Sequence, residues 1–331
     1  MQDLRRKLLV RAGATGLTAL SWATCPSRIA MAQDFPSRPL RIVVPFTPGG
    51  LTDVIARQAA EGLRIELGQA VVVDNRPGAS GQIGAELAAR ATPDGYTLAL
   101  LSTLHVGGAV YSPEGLRYDL LRDFVPIGML GYSPAMLVAR ADLRIRNVEQ
   151  MVAHAKAHPG KLSLACVATY IGELLEAAGD IDLNIVLYRG ASAATNDLLG
   201  GSVDMMSGTA SDMASLFRSG RLVPIGVSGT TALPYLPEVR PIVESLPHYR
   251  GGQWYALFAP AATPGPAVEH LRRSLGKVVQ RSEFRQKMVQ ALVSEPDLGV
   301  DAFAMEIRAT FDAFVQARAR RAPRQSTTQR G

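Results

Sequence analysis

The stretch that decides the fold is Arg41-Ile-Val-Val-Pro-Phe-Thr-Pro-Gly-Gly-Leu-Thr-Asp53. Its apolar beginning predicts a buried strand, which ends at Pro45 because proline has no backbone N–H for a further ladder hydrogen bond. Gly49 and Gly50 let the chain turn tightly and expose its N–H groups, and the amphipathic pattern that follows predicts a helix. Exposed N–H groups beside a helix N-terminus attract negative charge. The stretch therefore predicts a loop that binds a small anion.

An ordinary strand-to-helix turn is the alternative interpretation of this loop. Such a turn needs one glycine but not Pro-Gly-Gly flanked by threonine and aspartate, so we favour the binding interpretation. Asp53 is expected to cap the beginning of the helix rather than to contact the ligand, because a carboxylate repels an anion.

Short apolar runs alternate with helical patterns along the rest of the chain, which is typical of parallel α/β layers. The predicted strands cover 40–44, 70–74, 97–101, 125–130, 135–139, 162–166, 184–188, 203–206, 223–228 and 255–259. The predicted helices cover 52–67, 80–91, 147–157, 191–200, 210–219, 266–280, 282–292 and 300–317. With 331 residues, of which 47% are hydrophobic, the chain can bury a substantial core and is expected to build two domains.

Two stretches are expected to carry the chain between these domains. The first, 131–134, lies between adjacent predicted strands, and the second, 251–255, precedes another strand. If the chain returns at the second point, its C-terminal helices pack on the N-terminal domain. We therefore predict an α/β fold of two lobes, joined by two crossover strands, with an inter-lobe cleft that can close around a ligand. Predicted lobe 1 comprises 33–133 and 256–317, and predicted lobe 2 comprises 134–255.

The two ends of the chain are expected to lie outside the lobes. Residues 1–32 combine a basic beginning, a short apolar stretch and a final Ala30-Met-Ala32, which is the pattern of an export signal too short to span a bilayer. We therefore expect export to the periplasm with cleavage near Ala32, and Arg5-Arg6 leaves both the general and the twin-arginine routes open. The basic residues of 318–331 predict a disordered, solvated tail.

Charge and cysteine content exclude several classes of protein. The net charge of +6 comes largely from the ends, because the leader holds five basic residues against one acidic residue and the tail holds five arginines. The body between them has no basic face, so nucleic acid is not an expected partner. Cleavage of the leader removes Cys25 and leaves Cys166 alone, so no internal disulfide is expected and Cys166 is interpreted as a buried core residue.

The sequence also lacks the signatures of common enzymes. Residues 78–82 miss the final glycine of a nucleophile elbow, and Gly49-Gly50 fits neither the dinucleotide nor the Walker pattern. His154 and His158 have a metal-ligand spacing without a third ligand nearby, so we interpret them as a solvated helix end. We predict no catalytic residue, no cofactor and no metal ion.

Ordered motifs along the predicted lobes resemble those of one receptor family. They are Phe35-Pro-Ser-Arg-Pro-Leu-Arg-Ile-Val-Val-Pro-Phe-Thr-Pro-Gly-Gly50, Val73-Asp-Asn-Arg-Pro-Gly-Ala-Ser-Gly-Gln-Ile-Gly-Ala-Glu86, Pro93-Asp-Gly-Tyr-Thr-Leu98, Tyr118-Asp119, Phe124-Val-Pro-Ile127, Pro159-Gly-Lys-Leu162, Asp197-Leu-Leu-Gly-Gly-Ser-Val-Asp204 and Trp254-Tyr-Ala-Leu-Phe-Ala-Pro260. By these motifs the chain resembles the substrate-binding receptors of tripartite tricarboxylate transporters, also called Bug receptors. The resemblance runs from about Phe35 to about Phe314.

The resemblance implies a periplasmic binding protein of the type II kind that captures a small carboxylate, either an organic acid or an amino acid. It also implies integral membrane permease subunits of a tripartite transporter as partners, and we expect the receptor itself to be a monomer. The alternative is a sensory or interaction protein of the same fold, with an altered ligand, that signals to a membrane partner. The resemblance does not identify the ligand.

The resemblance further implies which loops of lobe 1 bind the ligand. In the family the loop after the first strand holds a ligand carboxylate, partly through ordered water. By position, that loop consists here of Phe46, Thr47, Pro48, Gly49, Gly50 and Asp53. The loop after the third strand adds Ser102, Thr103 and, as a further candidate, His105.

Lobe 2 departs from the family pattern. Relatives continue the strand after Pro-Gly-Lys-Leu into a loop rich in glycine, serine and threonine, whereas a shorter segment here keeps Thr169 and Tyr170 as its polar residues. The family's usual Tyr-Lys-Gly is Tyr188-Arg189-Gly190, and Gly208 stands where many relatives have an acidic residue, followed by Thr209. The expected contacts that set specificity on closure are Thr169, Tyr188 and Thr209. Arg189 is a further candidate ligand contact, which either lines the inter-lobe cleft or bridges surface charges.

Overall fold

The structure is a computed structural model, and it describes residues 35–188, 191–209, 220–229, 232–233, 236–296 and 298–328. The predicted export signal at 1–32 lies outside these residues, and so does the predicted helix at 210–219. The elements that follow belong to one compact unit that begins at Pro36.

Ten strands form two sheets of five within the described residues. The first sheet consists of β1 (Leu40–Val44), β2 (Val71–Asn75), β3 (Thr97–Ser102), β4 (Phe124–Ser133) and β10 (Gln253–Pro260), in the order β2-β1-β3-β10-β4. The second consists of β5 (Ala135–Arg140), β6 (Ser163–Cys166), β7 (Asn184–Leu187), β8 (Met205–Thr209) and β9 (Leu222–Val227), in the order β7-β6-β8-β5-β9. In each sheet the three strands at one end are parallel, while β10 in the first and β5 in the second pair antiparallel with both neighbours. We call the first sheet with its helices lobe 1 and the second lobe 2.

Helices pack on both sheets. Those described are α1 (Leu51–Leu67), α2 (Gln82–Ala89), α3 (Thr103–Tyr111), α4 (Val148–Ala157), α5 (Thr169–Gly179), α6 (Ala191–Gly200), α7 (Ile242–Ser245), α8 (Gly265–Gln280), α9 (Ser282–Gln290) and α10 (Val300–Thr328), with 3₁₀ turns at Ala79–Gly81 and Ala141–Leu143. No helix in the described part of the chain is long and apolar enough to cross a membrane.

The opening stretch folds as its composition predicts. In β1, Leu40, Ile42, Val43 and Val44 are at most 1% exposed, as in a parallel strand that is covered on both faces. Helix α1 buries one face and ends at Gly68, whose φ of 64° is left-handed and whose N–H bonds the Arg64 carbonyl. Strand, turn and helix therefore form one rigid unit around the predicted loop.

The two predicted crossovers are confirmed. Strand β4 belongs to the first sheet and β5 to the second, with Pro134 alone between them. The chain returns after β9, through α7, to β10 in the first sheet. Since β10 begins at Gln253, the returning strand starts three residues before the predicted boundary at 256.

The C-terminal helix differs from the prediction, which ended it at 317 and assigned 318–331 to a disordered tail. Helix α10 continues to Thr328. Arg318 donates to the carbonyl of Val110, and Arg320 Nη1 donates to the carbonyl of Ala177 at 2.6 Å. These carbonyls lie in the last turns of α3 and α5, where helices have unpaired acceptors. Arg318 and Arg320 therefore belong to a helix and cap two others, while their side chains remain exposed.

Candidate functional site

The two loops of lobe 1 lie where neighbouring parallel strands end. Strands β1 and β3 are adjacent, with Arg41 opposite Thr97 and Val43 opposite Ala99. Their carboxyl ends meet at one edge of the sheet, which is where open α/β sheets bind ligands. The structure thus brings the β1–α1 loop, residues 45–50, to the same edge as Ser102.

Asp53 holds the β1–α1 loop from inside. Its Oδ2 accepts hydrogen bonds from Gly49 N at 3.0 Å and from Arg57 Nε at 2.8 Å. Its Oδ1 accepts one from Asn75 Nδ2 at 3.0 Å, and the same nitrogen lies 3.1 Å from the carbonyl oxygen of Phe46. Burial of the carboxyl opposes ionisation, but the hydrogen bonds outweigh it and hold the pKa of Asp53 below its ordinary value. The carboxylate is therefore an internal anchor of the loop.

The loop leaves its outer surface and the beginning of α1 open. The exposed residues are Thr47, Pro48, Gly49 and Gly50, and Phe46 is half-buried. Gly49 has a φ of 87°, a left-handed conformation that favours glycine. Gly50 is the N-cap residue and has no side chain, so the first N–H groups of α1 lack a side-chain cap. These N–H groups, at the positive end of the helix dipole, can bind an anion.

Ser102 and Thr103 form the junction between β3 and α3. Ser102 is fully buried, and its Oγ has no hydrogen-bond partner in the described part of the chain. Thr103 Oγ1 accepts a hydrogen bond from Trp254 N at 3.1 Å and can still donate its own hydrogen. Because a buried hydroxyl without a partner costs free energy, the Ser102 hydroxyl is a candidate donor to a ligand in lobe 1.

His105 connects the two loops of lobe 1. Its Nδ1 lies 3.1 Å from Ser102 N and 3.3 Å from the Ser102 carbonyl oxygen, so the ring bonds the backbone at the end of β3. The ring stands edge-to-face against Phe46, with the centroids 5.9 Å apart. Burial lowers the pKa of His105 to about 4, against hydrogen bonds with the backbone of Ser102 and Gly81 that favour the charged form. The imidazole is therefore neutral at pH 7, and its role is to position the loops.

The candidate ligand contacts of lobe 2 either have a hydrogen-bond partner already or lie at the end of a helix or strand. Tyr188 donates its hydroxyl hydrogen to Asp197 Oδ2 at 2.6 Å, and this hydrogen bond raises the pKa of Tyr188 to about 12. Thr169 is half-buried at the beginning of α5. Thr209 ends β8, but its side chain lies outside the description, as does Arg189 altogether.

Tyr170, the other polar residue of the shortened segment, packs against aromatic side chains of lobe 1. Its ring centroid lies 4.9 Å from that of Phe314 on α10 and 5.9 Å from that of Tyr111 on α3. The side chain is 9% exposed, and burial raises the pKa of its hydroxyl. Tyr170 therefore joins the lobes through aromatic packing.

Sequence reasoning did not find the loop-positioning role of Asn75. The residue ends β2, directly opposite Val44 at the end of β1, and its side chain bonds both the loop and Asp53. The signal that could have found it is an amide side chain at the end of a strand that neighbours the glycine loop. Among the described residues, no group of three His, Cys, Asp or Glu side chains could hold a metal ion.

The chain matches one known family of proteins. A sequence profile described as the tripartite tricarboxylate transporter family receptor matches residues 55–323. A protein encoded in the tcbD–tcbE intergenic region of Pseudomonas sp. strain P51 is 36% identical over 299 residues, which cover 87% of this chain and 89% of that protein. Protein BugT of Bordetella pertussis is 32% identical over 290 residues, which cover 84% of this chain and 88% of BugT.

Solved structures share the fold. A TctC solute binding protein from Polaromonas superposes with a TM-score of 0.77 at 26% identity, covering 86% of this chain and 99% of that one. The periplasmic binding protein BugD gives 0.63 at 31% identity, covering 85% and 97%. MatC from Rhodopseudomonas palustris, solved with bound malate, gives 0.66 at 27% identity, covering 86% and 99%.

Proposed function

The chain belongs to the tripartite tricarboxylate transporter receptor family, and from that premise we propose that it captures a small carboxylate in the periplasm for delivery to a membrane permease of the tripartite type. The export pattern of residues 1–32 supports the location. MatC with bound malate supports the class of ligand, because that protein shares the fold over most of both chains.

The observation that carries the proposal is the open N-terminus of α1 beside a loop fixed by Asp53. Because Gly49 N already donates its hydrogen bond to Asp53, a ligand can accept hydrogen bonds from the N–H groups of the first turn of α1. A carboxylate placed there gains charge-assisted hydrogen bonds and the favourable end of the helix dipole. Ser102 Oγ supplies a further donor at the same edge of the sheet.

Lobe 2 is proposed to complete the site on closure. Thr169 lies at the beginning of α5, and Tyr188 is fixed by Asp197. Because Tyr188 donates its hydrogen internally, its oxygen can only accept a hydrogen bond from a ligand. Lobe 2 therefore favours a ligand that carries a donor, such as the hydroxyl of a hydroxy acid, at the end away from the carboxylate held by α1.

The test is the melting temperature of the purified protein against a panel of mono-, di- and tricarboxylates and acidic amino acids, with malate included. A ligand that binds only the folded state stabilises it, so at least one acid is expected to raise the melting temperature in a concentration-dependent manner. The matching alcohol or amide of that acid is the control and is expected to have no effect. If no acid changes the melting temperature and no acid co-purifies, carboxylate capture is wrong.

A further inference from the structure

A cavity of about 770 Å³ lies beside the two crossovers, apart from the β1–α1 loop. Small-molecule sites in proteins typically span about 300 to 1,000 Å³, so the cavity is large enough for a ligand. Of the predicted site residues, only Thr103 borders it among those that the structure describes. The cavity is therefore distinct from the proposed carboxylate site, although one residue adjoins both.

The walls of the cavity come from both lobes and from the crossovers that join them. Lobe 2 contributes Leu233 and Val243, and lobe 1 contributes Leu298 and Phe303. The crossovers contribute Tyr132, whose hydroxyl lies 3.0 Å from Ser228 Oγ and also donates to the carbonyl of Gly251. An occupant would touch the two lobes and both connecting segments at once.

The lining of the cavity carries few charged side chains. One cation, Arg250, and two carboxylates, Glu295 and Glu306, border it. Glu295 Oε2 lies 3.5 Å from Arg285 Nε outside the cavity lining, and Glu306 Oε1 accepts from Thr310 Oγ1 at 3.3 Å. The lining therefore gives no preference for a charged occupant. Its largely aliphatic and aromatic surface favours an apolar occupant.

Trp254 borders the cavity, and its indole has an unused donor. Trp254 is 3% exposed, and its Nε1 has no hydrogen-bond partner among the residues that the structure describes. A buried donor without an acceptor costs free energy, which an occupant with an acceptor would recover. Its backbone N–H bonds Thr103 Oγ1 at 3.1 Å, so the same residue connects the cavity with the edge of the carboxylate site.

We propose that this hinge cavity is a second ligand site, which takes an uncharged, largely apolar molecule with one hydrogen-bond acceptor. Because the occupant contacts both lobes, its affinity depends on how far the lobes are closed, and by linkage it changes carboxylate affinity by the same factor. This coupling rests on the proposed function, whereas the second site does not.

The first test uses benzyl alcohol as the probe and the fluorescence of Trp254 as the signal. The chain has two tryptophans, so Trp22→Phe leaves Trp254 as the only one. Benzyl alcohol is expected to change the emission in a saturable manner, and toluene, which lacks the acceptor, is expected to bind at least 3-fold more weakly. A change that rises linearly without saturation overturns the proposal.

The second test fills the cavity. Val243→Phe and Ala232→Phe each add a ring at a lining position and are expected to weaken benzyl alcohol binding at least 10-fold. Val72→Phe, at a strand position that is 54% exposed and outside the lining, is the matched control with unchanged binding. Circular dichroism confirms folding of each variant. Unchanged affinity in either filled variant that folds contradicts the site.

The coupling is measured by titrating benzyl alcohol with and without a saturating acid. A change of 3-fold or more in either direction is expected. If benzyl alcohol binds but no acid does, the proposed function fails and the second site stands. If an acid binds and benzyl alcohol does not, the second site fails alone.

Discussion

Asp53, Ser102 and His105 show how single residues prepare the β1–α1 loop for a ligand. Asp53 fixes the loop through Gly49 N and indirectly through Asn75, while remaining ionised in a buried position. His105 is neutral and joins the loop to the next strand. Ser102 Oγ has no hydrogen-bond partner among the described residues and Thr103 keeps a hydrogen to donate, so the groups available to a ligand differ from those that fix the loop.

These different roles predict that one serine substitution lowers ligand affinity and that another lowers stability. Ser102→Ala removes a hydroxyl without a partner, so the free energy of unfolding is expected to stay within about 1 kcal/mol, while affinity for the acid falls about 10-fold. Ser163→Ala is the matched control, because Ser163 Oγ donates to Asp204 Oδ2 at 2.7 Å and accepts from Asp204 N at 2.8 Å. It is expected to cost about 1–3 kcal/mol of stability with unchanged affinity. Calorimetric titration and urea unfolding measure both quantities, and equal acid affinity in wild type and Ser102→Ala is the contradictory result.

The buried imidazole of His105 predicts a dependence of stability on pH. Its pKa is lowered from 6.5 to about 4 in the folded protein because burial penalises the charged form. The unfolded state therefore binds more protons between these two pH values. The stability that the folded protein gains from keeping His105 neutral is complete above about pH 6.5 and is lost as the pH falls toward 4. His105→Asn is expected to flatten the stability curve in this window, with His248→Asn at an exposed position as the matched control. Urea midpoints measured across the window check this, and identical slopes for wild type and His105→Asn argue against it.

At the scale of elements, the contact between α3 and α5 explains features that the sequence pattern obscured. Gly107 lies inside α3, and a Cβ there would come within 2.8 Å of Tyr170 Cε1. Tyr170 in turn packs against Phe314 of α10, so helices of both lobes belong to one hydrophobic cluster. The glycine is required for this close approach and not for a turn.

The contact predicts the effect of a single methyl group. Gly107→Ala is expected to lower the free energy of unfolding by about 1–3 kcal/mol, because the methyl group overpacks against Tyr170. Gly276→Ala in α8, where a Cβ meets nothing within 4 Å, is the matched control and is expected to raise it by about 0.5–1 kcal/mol. Chemical unfolding of both variants provides the comparison. A Gly107→Ala protein as stable as wild type means that α3 and α5 do not pack as closely as described.

The same contact shows why some elements could be predicted and others could not. The strands and the long amphipathic helices follow from local periodicity, and each of the ten strands lies close to its predicted range. Helices α3 and α5 were missed because Gly107, Gly108 and Gly172 interrupt the helical pattern. At each of these glycines a Cβ would collide with a side chain of another element, which the local sequence does not reveal. The end of α10 was missed for a related reason, since the carbonyls that its arginines cap lie on distant helices.

In the whole molecule, the crossovers followed from the sequence because glycine or proline marks each of them. The position of the β1–α1 loop also followed, since one contiguous motif, residues 41–53, contains it. The partners of Asp53, His105 and Tyr188 could not be predicted, because those hydrogen bonds depend on strand register and on helix packing. The hinge cavity had no sequence signal, because its lining comes from distant segments of the chain.

Binding of the ligand carboxylate at the N-terminus of α1 can be tested through amide chemical shifts. The ¹⁵N-labelled protein is titrated with the acid that raises the melting temperature most. We expect the largest shifts at the amides of Gly50, Leu51 and Thr52, and we expect Ser102→Ala to weaken binding of the acid without changing which amides shift. Shifts confined to lobe 2, with these three amides unchanged at saturation, would contradict binding at α1.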